Sequence, residues 1–262
     1  MAVARDDFIV RYVALAPLAL AIERTQECRI LASHPFETPI LDLGCGDGIF
    51  AKVLFDRTID TGIDSDPAEI RMSQRQGAHR ELIACHAHAV PKPAGTYRTI
   101  LSNSVLEHIP DLLPVLSEVR RLLAPGGRFY ATLPTQGFER ASVGARCLAG
   151  LGFDTAAARY RAAYNRFWKH HNVHDEVGWR RLFEAAGFRV LEAITYGPRF
   201  LCTVCDALVP LAVPSFVCRR LTGRWVLLPH LRRFYVAPLA RLASALIARG
   251  EREAGEGLIF LA

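Results

Sequence analysis

Ile40-Leu41-Asp42-Leu43-Gly44-Cys45-Gly46-Asp47-Gly48 is the stretch on which the fold turns. A short apolar run enters three alternating glycines, and a helical pattern follows from Ile49. A strand that runs into such a turn and then a helix lets backbone approach a ligand closely, because no Cβ stands in the way. It also aims the free N–H groups of the helix start at that ligand. The dinucleotide fingerprint would place its third glycine where this chain has Ile49. Asp42, just ahead of the first glycine, would crowd a pyrophosphate and suits a cationic ligand. Asp64 closes the next apolar run, where an acid accepts both hydroxyls of a ribose. The competing explanation is a glycine turn made only for packing, with Asp64 as a helix-start acid.

An α/β rhythm extends outward from this turn. Strands are predicted at 39–43, 60–64, 81–85, 97–102, 128–133, 188–195 and 257–262, with helices at 49–56, after Asp66-Pro67, at 112–123 and from Asp175 to Ala186. Alternation of this kind predicts a doubly wound, Rossmann-like α/β fold, a mostly parallel seven-stranded sheet with helices on both faces. Residues 1–37 read as an N-terminal helical cap broken near Pro17, and 38–134 as the core. Residues 135–172 read as further cap helices, and 173–196 with 255–262 as the end of the sheet. Residues 197–254 are an apolar, basic insertion that interrupts what is otherwise a short hairpin.

Composition narrows the class. Of 262 residues 51% are hydrophobic, enough to bury a sizeable core. The acids in MAVARDDFIV argue against a secretory signal, and seven scattered cysteines, an odd number, suit a reduced, cytoplasmic setting. Segment 197–254 carries nine Arg, no Lys and three acids, an excess equal to the whole net charge of +6. The basic character therefore lives in the insertion.

LDLGCGDGIF, GIDSDP, SNSVLEHIPD and LLAPGGRFYATLP, in this order and spacing, resemble the class I S-adenosylmethionine-dependent methyltransferases, in particular those of the ubiquinone and menaquinone pathways. The resemblance covers roughly 38–134, with a weaker echo at 174–190. It implies S-adenosylmethionine as cofactor. Gly44, Gly46 and Gly48 would face its methionine part, with Asp42 near the amine, Asp64 and Ser65 at the ribose, and Asn103 beside the methionyl group. Relatives commonly hold the adenine amine with an Asp after the third strand; this chain has His86, followed by Ala87, whose N–H would serve the ring. The usual Phe-Asp opening the fourth strand is Tyr97-Arg98 here.

Methyl transfer from a sulfonium needs positioning and a route for the acceptor proton, work that suits a histidine. His170, His171 and His174 are candidates in a region that hangs over the substrate cavity in the family, and His108 is a fourth. Ordinary loop polarity, with His174 or Asp175 capping the next helix, competes with this. His170 and His174, with Asp175, would suit zinc if the stretch were helical, but no third His or Cys pair lies at a diagnostic distance, so no metal is expected. Cys202 and Cys205 have redox-motif spacing but read as a buried structural pair.

Asp206, Pro210 and Pro214 interrupt the longest apolar region of the insertion, which is therefore expected to be too broken to span a bilayer. It reads as a lid or dimer surface over an apolar cavity, or as interfacial helices on anionic lipid. Nucleic acid is not expected, since Lys and polar surroundings are missing. The expected function is methyl transfer to a hydrophobic small molecule, oxygen before carbon. The alternatives are a catalytically silent methyltransferase-like binding subunit and an NAD(P)-dependent oxidoreductase.

Overall fold

The computed structural model describes residues 7–226, 229–232 and 234–262. The N-terminal helices are α1 (Phe8–Leu15) and α2 (Leu18–Ala32). The core follows as β1 (Ile40–Leu43), α3 (Ile49–Leu54), β2 (Ile59–Asp64), α4 (Pro67–Gln76), β3 (His79–Ala84), β4 (Tyr97–Asn103), α5 (Leu113–Leu122) and β5 (Leu123–Pro134). Helices α6 (Gln136–Arg140), α7 (Val143–Gly150), α8 (Asp154–Trp168) and α9 (Glu176–Ala185) lead to β6 (Ala193–Pro198). The insertion supplies α10 (Arg199–Thr222), α11 (Pro229–Arg232) and α12 (Val236–Gly250), and β7 (Gly255–Leu261) ends the chain.

The sheet has the order β3-β2-β1-β4-β5-β7-β6. All pairings are parallel except those of β7, which runs antiparallel between β5 and β6. β1 is buried along its whole length, the pattern of a strand covered on both faces. Ile40 joins an apolar cluster with α1, α2, α3, α10 and α12, whereas Leu41 and Leu43 join α5 and α9 on the other face. Each such side chain taken fully out of water stabilises the fold by roughly 1.5–3 kcal/mol. The strand order reverses between β1 and β4, and a crevice opens there beyond the carboxyl ends of the strands.

Three expectations are corrected. The sixth strand lies at Ala193–Pro198 rather than 188–195. Its neighbour β7 runs out beside it: the Leu191 N–H reaches the carbonyl of the last residue, Ala262, at 2.7 Å, so 188–190 have no strand to pair with. β5 begins at Leu123 because an irregularity between Tyr97 and Thr99 absorbs the Pro125-Gly126-Gly127 turn. Finally, Pro210 and Pro214 do not break α10, which runs continuously for 24 residues. Packing of its buried Leu201, Cys202, Cys205 and Ala212, in part against α2, outweighs the two lost backbone hydrogen bonds. Among the described residues α10 is the one helix long and apolar enough to cross a membrane, with a mean hydropathy of 1.9.

Candidate active site

Gly44, Gly46 and Gly48 all have positive φ, but they serve different ends. A Cβ on Gly44 would lie 2.5 Å from Val105 Cγ1, and one on Gly48 2.5 Å from Ser73 Oγ. Gly46 faces open space, its nearest neighbour in that direction being Glu69 Oε2 at 3.9 Å. Gly48 therefore packs the turn on α4 and does not line the cavity, contrary to expectation.

The turn also differs from a free-amide anion site. Gly44 and Cys45 donate their N–H groups to Ile63 O, Gly48 to Cys45 O, and Ile49 to Asp47 Oδ1. Gly46 donates to Asp64 Oδ2 at 3.0 Å, while Asp66 donates to Asp64 Oδ1 at 2.9 Å. These bonds replace the expected free N–H groups: backbone carbonyls take those of Gly44, Cys45 and Gly48, and carboxylates those of Gly46 and Ile49. They also fix the Asp64 carboxylate at the end of β2, and each oxygen keeps acceptor capacity for a hydroxyl.

Asp42 is buried beneath the turn, its Oδ2 2.9 Å from His79 Nε2. His79, at the start of β3, lies 3.2 Å from Ser73 Oγ. Asn103, at the end of β4, donates to Glu27 Oε2 at 2.7 Å and to Thr132 Oγ1 at 2.6 Å. Glu27 is wholly buried on α2 and also accepts from Arg24 Nη1 and, at 3.0 Å, from Tyr196 OH. Sequence reading missed His79, Glu27 and Arg24. The available signal was that a buried acid such as Asp42 requires a partner.

A single cavity of about 700 Å³ joins these groups. Asp42, Gly44, Gly46, Asp64, Ser65, His86, Ala87 and Asn103 line it, and the His86 ring stacks on His88 with centroids 5.4 Å apart. On its far wall stand Val209, Ala212, Phe216 and Arg219 of α10, with Trp225 beyond. Arg219 Nη2 donates to Glu69 Oε1 at 2.7 Å, and Trp225 Nε1 to Asp47 Oδ2 at 2.8 Å, so the insertion closes directly over the glycine turn.

The four candidate histidines separate. His108 and His170 line the cavity, with ring centroids 5.3 Å apart. Burial pushes His170 down, to about 4, and lowers His108 as well. His171 is exposed, and its backbone N–H donates to Glu107 O at 2.7 Å. His174 bridges to Thr135 and sets its ring edge-on to Trp179 at 4.9 Å. Neither lines the cavity. Residues 170–175 are not helical, so the i,i+4 pairing of His170 with His174 does not form. Asp175 caps α9, accepting from Gly178 N at 2.8 Å. Cys202 and Cys205 are buried free thiols on successive positions of one helix face, bonded to the carbonyls of Gly197 and Ala19.

A family model described as a methyltransferase domain matches residues 18–193. The chain belongs to this methyltransferase family. It is 34% identical over 91 residues to an uncharacterized methyltransferase of Mycobacterium tuberculosis, covering 34% of this chain and 46% of that protein. It is 33% identical over 110 residues to the ubiquinone biosynthesis O-methyltransferase of Vibrio campbellii, covering 39% and 46% respectively. The matches thus span about half the length of these curated relatives. Among solved structures, the geranyl diphosphate C-methyltransferase of Streptomyces coelicolor, in complex with Mg2+, geranyl diphosphate and S-adenosyl-L-homocysteine, superposes with a TM-score of 0.52 at 14% identity, covering 93% of this chain and 80% of that one. That likeness is one of fold: the class I Rossmann-like sheet of S-adenosylmethionine-dependent methyltransferases.

Proposed function

We propose that this methyltransferase moves the methyl group of S-adenosylmethionine to a hydrophobic small molecule, an oxygen acceptor before a carbon one. The observation that carries this reading is the continuity of the cavity from Asp64 and Gly46 to the apolar wall of α10. The residues present fit the cofactor. The aimed Asp64 carboxylate takes the ribose hydroxyls, with Ser65 beside it. His86 and Ala87 border the adenine, the open face of Gly46 admits the methionine part, and Asp42 lies below its amine. The bound cofactor supplies an already activated, electrophilic methyl on a sulfonium.

The remaining work falls to this chain. Val209, Ala212 and Phe216 exclude water and favour an apolar ring or chain, such as a phenol, a quinone, or a lipid-like or natural-product acceptor. His108 and His170 are the side chains on hand to manage an acceptor proton. Asn103 is held by Glu27 and Thr132 and orients the end of β4 rather than moving.

A second surface reading rests on α10, where Leu211 is 75% and Leu221 78% exposed. With Arg220 and Arg224 exposed nearby, this face suits transient contact of a cytoplasmic enzyme with anionic lipid.

Calorimetric titration with S-adenosylmethionine and S-adenosylhomocysteine tests the cofactor reading. Asp64→Ala is expected to weaken both by at least about tenfold, the loss of two charge-assisted hydrogen bonds. Methyl incorporation into apolar phenols and quinones then tests the acceptor class and separates an enzyme from a silent binding subunit. Preferred methylation of a small polar amine or a structured RNA would sink the hydrophobic reading.

A further inference from the structure

Glu107 and His108 end the 3-10 turn Leu106–His108 after β4, and His170 follows α8. Their ligand atoms lie within 4.8 Å of one another in the wall of the cavity. The Glu107 side chain is 3% exposed, and among the described residues neither its Oε2 nor His170 Nδ1 has a hydrogen-bond partner. Two orphaned polar atoms in one small cluster, with Glu107 buried, His170 half-buried and the His108 side chain 43% exposed, are unusual in a folded protein, because each costs the desolvation of a lone pair.

The tautomer of His108 sharpens the anomaly. Its Nδ1 lies 3.2 Å from the carbonyl of Lys169, which only accepts, so Nδ1 carries the hydrogen. Its Nε2 therefore presents a lone pair, 3.8 Å from Glu107 Oε1. An imidazole that donates one nitrogen to a backbone carbonyl and turns the other inward has the orientation of a metal-ligating histidine. The strap that carries His170 is anchored to the same turn: His171 N and Asn172 N both donate to Glu107 O, and Asn172 Nδ2 donates to Ile109 O. Acceptor atoms thus converge on one point, held there by backbone bonds.

We propose that Glu107, His108 and His170 bind a divalent transition-metal ion in the wall of the acceptor cavity. Two imidazoles and one carboxylate select zinc, cobalt, nickel or iron over calcium or magnesium. Bonds of about 2.0–2.2 Å in a tetrahedral site put ligand atoms roughly 3.3 Å apart. The 3.8 Å between Glu107 and His108 is close to that, and small rotations of the two rings close the rest. Three protein ligands leave a coordination position open toward the cavity. On the reading of the cavity given above, an acceptor oxygen takes that position, and the two imidazoles act on it through the ion.

The test uses the full chain stripped with a chelator and titrated with Co2+, whose visible absorption reports its coordination. One equivalent is expected to bind, with d–d bands of a four- or five-coordinate site. Glu107→Gln and His170→Asn are each expected to weaken binding at least tenfold, and His171→Asn to leave it unchanged. No saturable uptake, or uptake that survives both ligand substitutions, overturns the proposal. S-adenosylhomocysteine is titrated into the same stripped protein. Cofactor binding without Co2+ binding sinks the metal site alone; Co2+ binding without cofactor binding sinks the functional reading and leaves the site standing.

Discussion

Arg219, in the last turn of α10, is joined to Glu69 in the first turn of α4, 2.7 Å from its Oε1, and it lies 3.4 Å from Asp47 of the glycine turn. Its guanidinium also sits 4.8 Å from the centre of the Trp225 ring. One side chain of the insertion thus ties together the two elements that shape the cofactor end of the cavity. Burial raises the Glu69 carboxyl, and Arg219 opposes that rise.

Removing this tie is expected to loosen the cofactor end without unfolding the chain. The pair is about one-fifth exposed, so the contact is worth about 1 kcal/mol rather than the several of a dry ion pair. Arg219→Ala should weaken S-adenosylhomocysteine by roughly fivefold, mostly through faster dissociation. Stopped-flow displacement measures this. An unchanged dissociation rate would show that the insertion does not hold the turn.

Gly44→Ala and Gly46→Ala should part company. Both place a side chain in the left-handed region, at a cost of roughly 1–2 kcal/mol. At Gly44 the methyl also meets Val105 at 2.5 Å, whereas at Gly46 it enters open cavity. Urea unfolding should show Gly44→Ala to be the less stable by about 1–3 kcal/mol, the cost of overpacking. Gly46→Ala should lose mainly cofactor affinity.

Glu27 is the wholly buried partner of Arg24, Asn103 and Tyr196. Glu27→Ala removes the closer of Arg24's two carboxylate partners, leaving Glu23 at 3.6 Å, and should cost about 3–5 kcal/mol. Tyr196→Phe removes one hydrogen bond to a charged group and should cost about 1.5–3 kcal/mol. Denaturant midpoints compare the two, and equal losses would contradict the network.

Glu23 adjoins this network, and burial pushes its carboxyl up from the usual range to about 7, partly countered by Arg24. Between its unfolded and folded values the native state holds a proton that the unfolded chain has lost. Stability from this group is therefore full below the ordinary carboxyl range and falls as pH rises toward 7. Glu23→Gln should flatten part of the fall in urea midpoint between pH 5 and 8. A fall as steep as that of the unsubstituted chain would show that Glu23 ionises freely.

The strands β1 and β2 were legible because they are largely buried on both faces and end at Gly44 and Asp64. The Ile40–Gly48 run, the Asp66-Pro67 helix start and the Asp175 cap are local signals, decided within a few residues by backbone sterics and hydrogen bonding. The edge strand β6 was misplaced because its extent depends on where β7 stops, some sixty residues later in the chain. The prolines of α10 misled for a like reason, since packing on α2 is not written in the helix itself.

Sequence alone thus determined the fold class, the family and the acid and glycine positions of the cofactor turn, because each rests on short local patterns and their order along the chain. Tertiary structure decided what those segments meet. It paired Asp42 with His79, gave the Gly46 amide to Asp64, kept His108 and His170 in the cavity while turning His171 and His174 away, and brought Arg219 to Glu69 across 150 residues of chain. Such long-range contacts follow from how helices and strands pack around a shared core, and no local pattern in the sequence encodes them.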